Sequence, residues 1–171
     1  MKDTKDILVV IDCQHDFVDG VLGTDRAKEI MPAINDRIHQ YSENGKWVVY
    51  TMDSHDKNYL DTVEGKHLQV EHCNTTDGWK LCVDLAERSQ LMYKETFGSV
   101  ELGEYFKDFE GEVEMCGVCT GICVLANFNM IKAFNPNIEV YINEPLCACV
   151  TEETHKNAIA AMQLQHANIM E

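Results

Sequence analysis

Proline and glycine are scarce, at 3 and 10 of 171 residues. No Pro/Gly-rich linker marks a domain boundary, and no internal repeat or low-complexity stretch divides the chain. At roughly 100–200 residues per domain the expectation is one domain over 1–171. A chain of this length buries about 70% of its unfolded surface and holds a core without staples. Positive charge is also in short supply. Lys and Arg total 14 against 29 Asp and Glu, a formal net charge of −15. Such a chain repels a phosphate backbone and an anionic bilayer, so neither nucleic acid nor membrane is an expected partner. Long hydrophobic runs are missing. The amino-terminal run Ile7–Ile11 stops at Asp12, too short for a signal-peptide core or a membrane span, and the expectation is a cytoplasmic protein. Cysteine, in contrast, is plentiful, with eight residues. In a chain this large and without a signal they read as reduced thiols, some buried and one of them reactive, rather than as a disulfide framework.

Apolar runs alternate with helix-period segments. Residues 7–11, 47–52, 91–93, 113–118 and 139–142 read as strands, and their near-continuous Val/Ile/Leu content suits a sheet covered on both faces. Residues 30–44 place Ile30, Ile34, Ile38 and Tyr41 on one helical face, with Pro32 in the first turn and Gly45 as the stop. Residues 121–134 stripe Val124, Leu125, Phe128 and Ile131. Thr151 caps a helix reaching Leu164, with Glu152 and Glu153 at its positive end. A short helix over 79–87 is expected after Asp77 or Gly78. This alternation predicts βαβ units and a parallel sheet, with the site at the carboxyl ends of the strands. Residues 54–77 break the pattern as a long polar loop holding His55, His67 and His72, a length that points to function.

Four places collect reactive side chains at strand ends: Asp12 in IDCQHDF, Asp53 and His55 in TMDSH, Lys94 in MYKETFGS and Cys123 in CGVCTGICV. All gather on one rim of a parallel sheet. Cys123 falls where a helix begins, and a helix amino terminus favours the thiolate nucleophile; its apolar neighbours equally allow a buried core cysteine. A carboxylate at Asp12 suits proton transfer and an ammonium at Lys94 suits the anion produced, although Asp12 alone also fits a cap of the next turn and Lys94 a solvated strand end. Asp53 and His55, two apart in extended chain, point the same way. Carboxylate plus imidazole suits zinc, iron or manganese, and Glu64, His67 and His72 are available to complete the set. The thiols of Cys116, Cys119 and Cys123 (C-x2-C-x3-C) and of Cys147 and Cys149 fit a metal or iron–sulfur site less well. Cys116 reads as strand and Cys123 as helix, whereas zinc knuckles sit on turns.

Taken together, the IDCQHDF entry, the T-x-D-x-H strand end, the EHC loop, the K-x-x-F-G-S segment and GVCTGIC resemble the cysteine hydrolases of the isochorismatase-like superfamily, most closely its nicotinamidases, over nearly the whole chain. The resemblance implies a three-layer αβα sandwich around a mostly parallel six-stranded sheet. It implies a catalytic set of Asp12, Lys94 and Cys123, a cis peptide before Cys119, and an oxyanion hole from the N–H groups of Cys119 and Cys123. It also implies a substrate-packing ring at Phe17 and a divalent metal, zinc foremost, with iron or manganese as alternatives. The metal ligands would be Asp53, His55 and His72, with Glu64 fourth, or His67 in its place. The activity implied is hydrolysis of nicotinamide to nicotinic acid and ammonia, within NAD salvage. The alternatives are the same chemistry on another small carboxamide, or a non-catalytic thiol- or metal-binding protein. Homo-oligomerisation stays open. True isochorismatases lack the cysteine nucleophile, and the carbamoyl-amine amidases lack the metal set. Two segments depart from the nicotinamidase pattern: Gln69 stands where an aromatic wall residue is common, and CNTTDGW is looser than C-x-x-G-T.

Overall fold

The computed structural model describes residues 4–74 and 77–171; residues 1–3, and residues 75–76 of the CNTTDGW segment, lie outside it. Six strands form one sheet: β1 (Ile7–Ile11), β2 (Trp47–Asp53), β3 (Ser89–Lys94), β4 (Glu112–Val118), β5 (Glu139–Ala148) and β6 (Asn168–Met170). Their order is β3-β2-β1-β4-β5-β6, and every neighbouring pair is parallel. Successive residues of a strand face opposite sides, so the single run Ile7–Ile11 supplies two cores. Leu8 and Val10 pack with Ile30, Ile34, Ile38 and Tyr41 of helix α2 (Asp25–Glu43), with the short helix α1 (His15–Val18) between β1 and α2. Ile7, Val9 and Ile11 belong to the opposite core. It holds Phe106 of α4 (Val100–Phe106), Phe128 and Ile131 of α5 (Leu125–Phe134) and Met162 of α6 (Glu152–Leu164); the remaining helix, α3 (Val63–Leu68), lies between β2 and β3. The result is the expected three-layer αβα sandwich.

Three local expectations need correction. Helix α2 starts at Asp25, not at residue 30. Thr24 caps it by accepting from the Ala27 N–H at 3.1 Å. Pro32 therefore lies well inside the helix, on its solvent-exposed side, where its missing N–H is least damaging. No helix forms over 79–87. A single 3-10 turn at Asp77–Trp79 gives way to a segment laid along the chain after β1, with Lys80 O accepting from His15 N–H and Cys82 N–H donating to Cys13 O, both at 2.9 Å. The hydroxyl of Tyr50 then holds Asp84 O and Ala86 N–H, and Asn35 holds the Asp84 N–H. These long-range bonds outweigh the local helical preference of DLAER. The long loop, finally, carries a 3-10 turn (Tyr59–Asp61) and α3, whose amino terminus Thr62 caps by accepting from Gly65 N–H.

The sheet order places a topological switch between β1 and β4, which leave the sheet in opposite directions, and ligands in open α/β sheets bind at that crevice. The backbone converges closely there. Gly117, at φ +122°, has no room for a side chain, because a Cβ would lie 2.2 Å from Ile11 O. Beyond it the Val118–Cys119 peptide is cis. Among the described residues no helix is long and apolar enough to cross a membrane.

Candidate active site

Strand register delivers the charged residues to one point. Asp53 and Lys94 are direct partners at the ends of β2 and β3, and Asp12 follows β1 in a left-handed conformation, φ +46°. All three are buried. Lys94 Nζ stands 2.7 Å from Asp12 Oδ2, 2.7 Å from Asp53 Oδ1 and 3.6 Å from Cys123 Sγ. Thr51 donates its hydroxyl to Asp12 Oδ1 at 2.6 Å. Asp12 Oδ2 meets the ammonium as an ion pair but has no aligned hydrogen-bond partner among the described residues.

That open valence separates this site from the other buried ion pair of the sheet. Glu114 on β4 is equally buried, but its carboxylate is saturated by the Arg37 guanidinium, the Tyr41 hydroxyl and the Asn143 amide. A saturated buried charge is architecture. An unsaturated one beside a thiol can exchange a proton.

Cys123 sits on a five-residue π-turn, Thr120–Val124, in which both Ile122 N–H and Val124 N–H donate to Cys119 O. π-turns recur at functional sites. The wider turn sets Cys123 on the inner side at 5% exposure. Burial and the Asp12 carboxylate push its thiol well above the ordinary value. Burial also raises Asp12, with the Asp53 charge adding and Lys94 opposing. For Lys94 burial works the other way, but Asp12, Cys123 and Asp53 overcome it and hold the ammonium protonated. In the resting site the proton belongs on sulfur, next to a carboxylate of raised basicity and a fixed positive charge.

Asp53 also faces a second group. Ligand atoms of Asp53, His55, Glu64 and His72 lie within 4.8 Å of one another. Asp53 Oδ2 is 3.1 Å from His55 Nε2 and 3.7 Å from His72 Nε2, and His55 Nε2 is 3.9 Å from Glu64 Oε1. The imidazoles and Lys94 hold Asp53 below the usual carboxylate range although burial opposes it. His72 directs Nδ1 at Val70 O, 3.0 Å away. A ring that donates from Nδ1 to a backbone carbonyl keeps Nε2 as a free lone pair, the usual arrangement of a metal-binding histidine. Two imidazole nitrogens and two carboxylates fit a borderline divalent ion. His67 is exposed on α3 and outside the cluster, and Cys116 and Cys147 are buried in β4 and β5.

A cavity of about 370 Å³ joins the two groups, lined among others by Phe17, Asp53, Glu64, His72, Cys119 and Cys123. Phe17 meets His72 edge-on at 5.3 Å. Gln69 closes α3 in the left-handed conformation, exposed and away from this wall, which Leu68, Phe97 and Ile122 complete. A larger groove of about 730 Å³ near Glu144 and His155 contains none of the residues of either group, so size does not locate the chemistry.

Several supporting residues have no signal in the sequence pattern. Gln14 clamps the ends of β1 and β2 together, donating to Asp53 O at 2.9 Å and accepting from Asp53 N–H at 2.7 Å. Asp16, in the first turn of α1, accepts from Cys73 N–H at 2.8 Å and so anchors the chain next to His72. Tyr59 donates to Glu64 at 3.1 Å and lies tilted against the His55 ring, centroids 4.3 Å apart. Asn127 ties Phe97 O and Cys123 O to one amide and accepts from Ser99 N–H. The only available hint was position: Gln14 and Asp16 lie two and four residues beyond Asp12.

Comparison with known proteins agrees with this geometry. A sequence profile of the Isochorismatase domain matches residues 6–171, and the chain belongs to that family of hydrolases. A Bacillus subtilis (strain 168) protein, described as an uncharacterized isochorismatase family protein PncA, is 27% identical over 172 residues, spanning 91% of this chain and 93% of that one. The pyrazinamidase of Pyrococcus horikoshii, solved in complex with zinc, superposes with a TM-score of 0.84 at 27% identity, over 96% of this chain and 98% of its own. A pyrazinamidase/nicotinamidase from Streptococcus mutans UA159 gives 0.79 at 28% identity, over 96% and 99%.

Proposed function

We propose that the protein is a metal-containing cysteine amidohydrolase that converts nicotinamide to nicotinic acid and ammonia. The observation that carries this reading is the one cavity lined both by Cys123 and by Asp53, Glu64 and His72 of the four-residue cluster, with Lys94 bridging Asp12, Asp53 and the thiol. The zinc-bound pyrazinamidase relative supports a divalent ion.

Asp12 removes the Cys123 proton as sulfur attacks the amide carbon, and Lys94 holds the resulting charges in place. Backbone N–H groups of Cys119 and Cys123 stabilise the tetrahedral oxyanion, each donor being worth about 3–4 kcal/mol. Asp12 passes its proton to the departing ammonia, leaving a thioester on Cys123. It then deprotonates the water that releases the acid. Phe17 packs on the substrate ring. Asp53, His55, Glu64 and His72 would hold the metal, which supplies a Lewis-acid contact for the pyridine nitrogen when bound. The test is ammonia release from nicotinamide measured beside a panel of small amides, with metal content determined in the same preparation. Turnover of nicotinamide above the panel is expected. Preference for an amide lacking a ring nitrogen would assign the site to another carboxamide, and no release from any amide would leave a thiol- and metal-binding protein.

A further inference from the structure

Two thiols outside the proposed chemistry of Cys123 lie against each other. Cys119 Sγ and Cys149 Sγ are 3.0 Å apart, and both residues line the 370 Å³ cavity; Cys149 also lines the outer groove of about 730 Å³. They follow Val118 and Ala148, direct partners in the parallel register of β4 and β5. Adjacent strands run about 4.8 Å apart, within the Cα separation of about 4.4–6.8 Å that a disulfide requires. Cys149 is further set apart by its donors. Gly121 N–H donates to its sulfur at 3.4 Å, and the Thr154 hydroxyl lies 3.3 Å away at the amino terminus of α6. The buried thiols of Cys13, just beyond β1, Cys116 on β4 and Cys147 on β5 are raised mainly by burial. Cys149 alone is lowered, first by the Cys119 S–H and then by Thr154 and Gly121, with burial opposing.

We propose that Cys119 and Cys149 form a second reactive thiol site that consumes hydroperoxides and closes to a Cys119–Cys149 disulfide. The Cys149 thiolate attacks the peroxide O–O bond. An S–O bond forms as the O–O bond breaks, and the departing oxygen takes a proton from solvent and leaves as water from hydrogen peroxide or as an alcohol from an organic hydroperoxide, giving a sulfenic acid. The Cys119 sulfur then attacks that of Cys149. The S–S bond forms as the S–O bond breaks, and the leaving hydroxide takes the Cys119 proton as a second water. Two thiols lose two electrons and the peroxide gains them; a low-molecular-weight dithiol reverses the closure. Cys123, raised by burial and by Asp12 in the free protein, is the poorer nucleophile toward peroxide. This assignment does not depend on which amide the protein hydrolyses.

The test uses the fully reduced protein, treated at neutral pH with equimolar hydrogen peroxide, alkylated and digested without reduction. The two thiols fall on different tryptic peptides, bounded by Lys107, Lys132 and Lys156, and fragmentation of the linked pair distinguishes Cys119 from Cys116 and Cys123 and Cys149 from Cys147. The expected result is a dithiothreitol-sensitive Cys119–Cys149 link at least tenfold above any other pair. In the Cys119→Ser protein, dimedone should label Cys149 instead. First oxidation at Cys123, a link between other cysteines, or a Cys149 that stays fully alkylable after peroxide would overturn the proposal.

Discussion

Burial and partner count decide what each charged residue does. Asp12 is raised because its charged form is poorly solvated, so in the folded protein it is a group held at a cost to stability. Asp12→Asn should therefore reduce kcat about 10²–10⁴-fold, the usual worth of a general base, while leaving the melting temperature unchanged or higher. Asp16→Asn should cost less activity, because Asp16 acts on His72 through the Cys73 backbone, and it should show the greater loss of metal. Equal losses of kcat with full metal in both would remove the distinction. The same upward shift sets a pH dependence. Asp12 must be a carboxylate to accept the thiol proton, so kcat/KM falls as pH drops through its raised pKa. The acid limb should lie above the ordinary aspartate value of about 3.9; a limb at or below it would contradict Asp12 as the base. The reactive residues were legible in the sequence because each stands at a strand exit beside a distinctive neighbour. Gln14, Tyr59 and Asn127 were not, because their roles consist of bonds to residues 28–65 positions away or to a helix the loop alone does not show.

Secondary-structure elements convert these side chains into a site. β2 and β3 bring Asp53 and Lys94 level, and the π-turn after β4 turns Cys123 inward. Asn127, four residues further along α5, holds that turn to the β3–α4 loop by three hydrogen bonds. Asn127→Ala should destabilise by about 1–3 kcal/mol per buried group left unpaired and lower kcat more than it raises KM, since it moves the nucleophile rather than the ring-binding wall. A pure KM effect in steady-state kinetics would show the tie to be irrelevant to Cys123. Five strands and three helices were readable from apolar period. The chain over 79–87 was not, since its conformation is set by Cys13, Asn35 and Tyr50. Nor was β6, three half-buried residues with little pattern of their own.

For the whole molecule, the two apolar cores lie on the faces of the sheet while the candidate metal cluster sits at its rim, so metal and fold are separable. Removing the metal with a chelator should abolish amide hydrolysis and loosen the segment between β2 and β3. Far-ultraviolet circular dichroism of the sheet should change little, because no core residue of either face is a ligand. Cooperative unfolding on chelation would contradict that separation. The His55→Ala and His72→Ala proteins should lose metal, and His67→Ala should keep it.

The most direct measurement of the chemistry is mass spectrometry of the protein quenched during turnover of nicotinamide. An acyl adduct of one nicotinoyl group on Cys123, absent from the Cys123→Ala protein together with all activity, is the expected result. An adduct on Cys119 or Cys116, or sustained hydrolysis by Cys123→Ala, would contradict it.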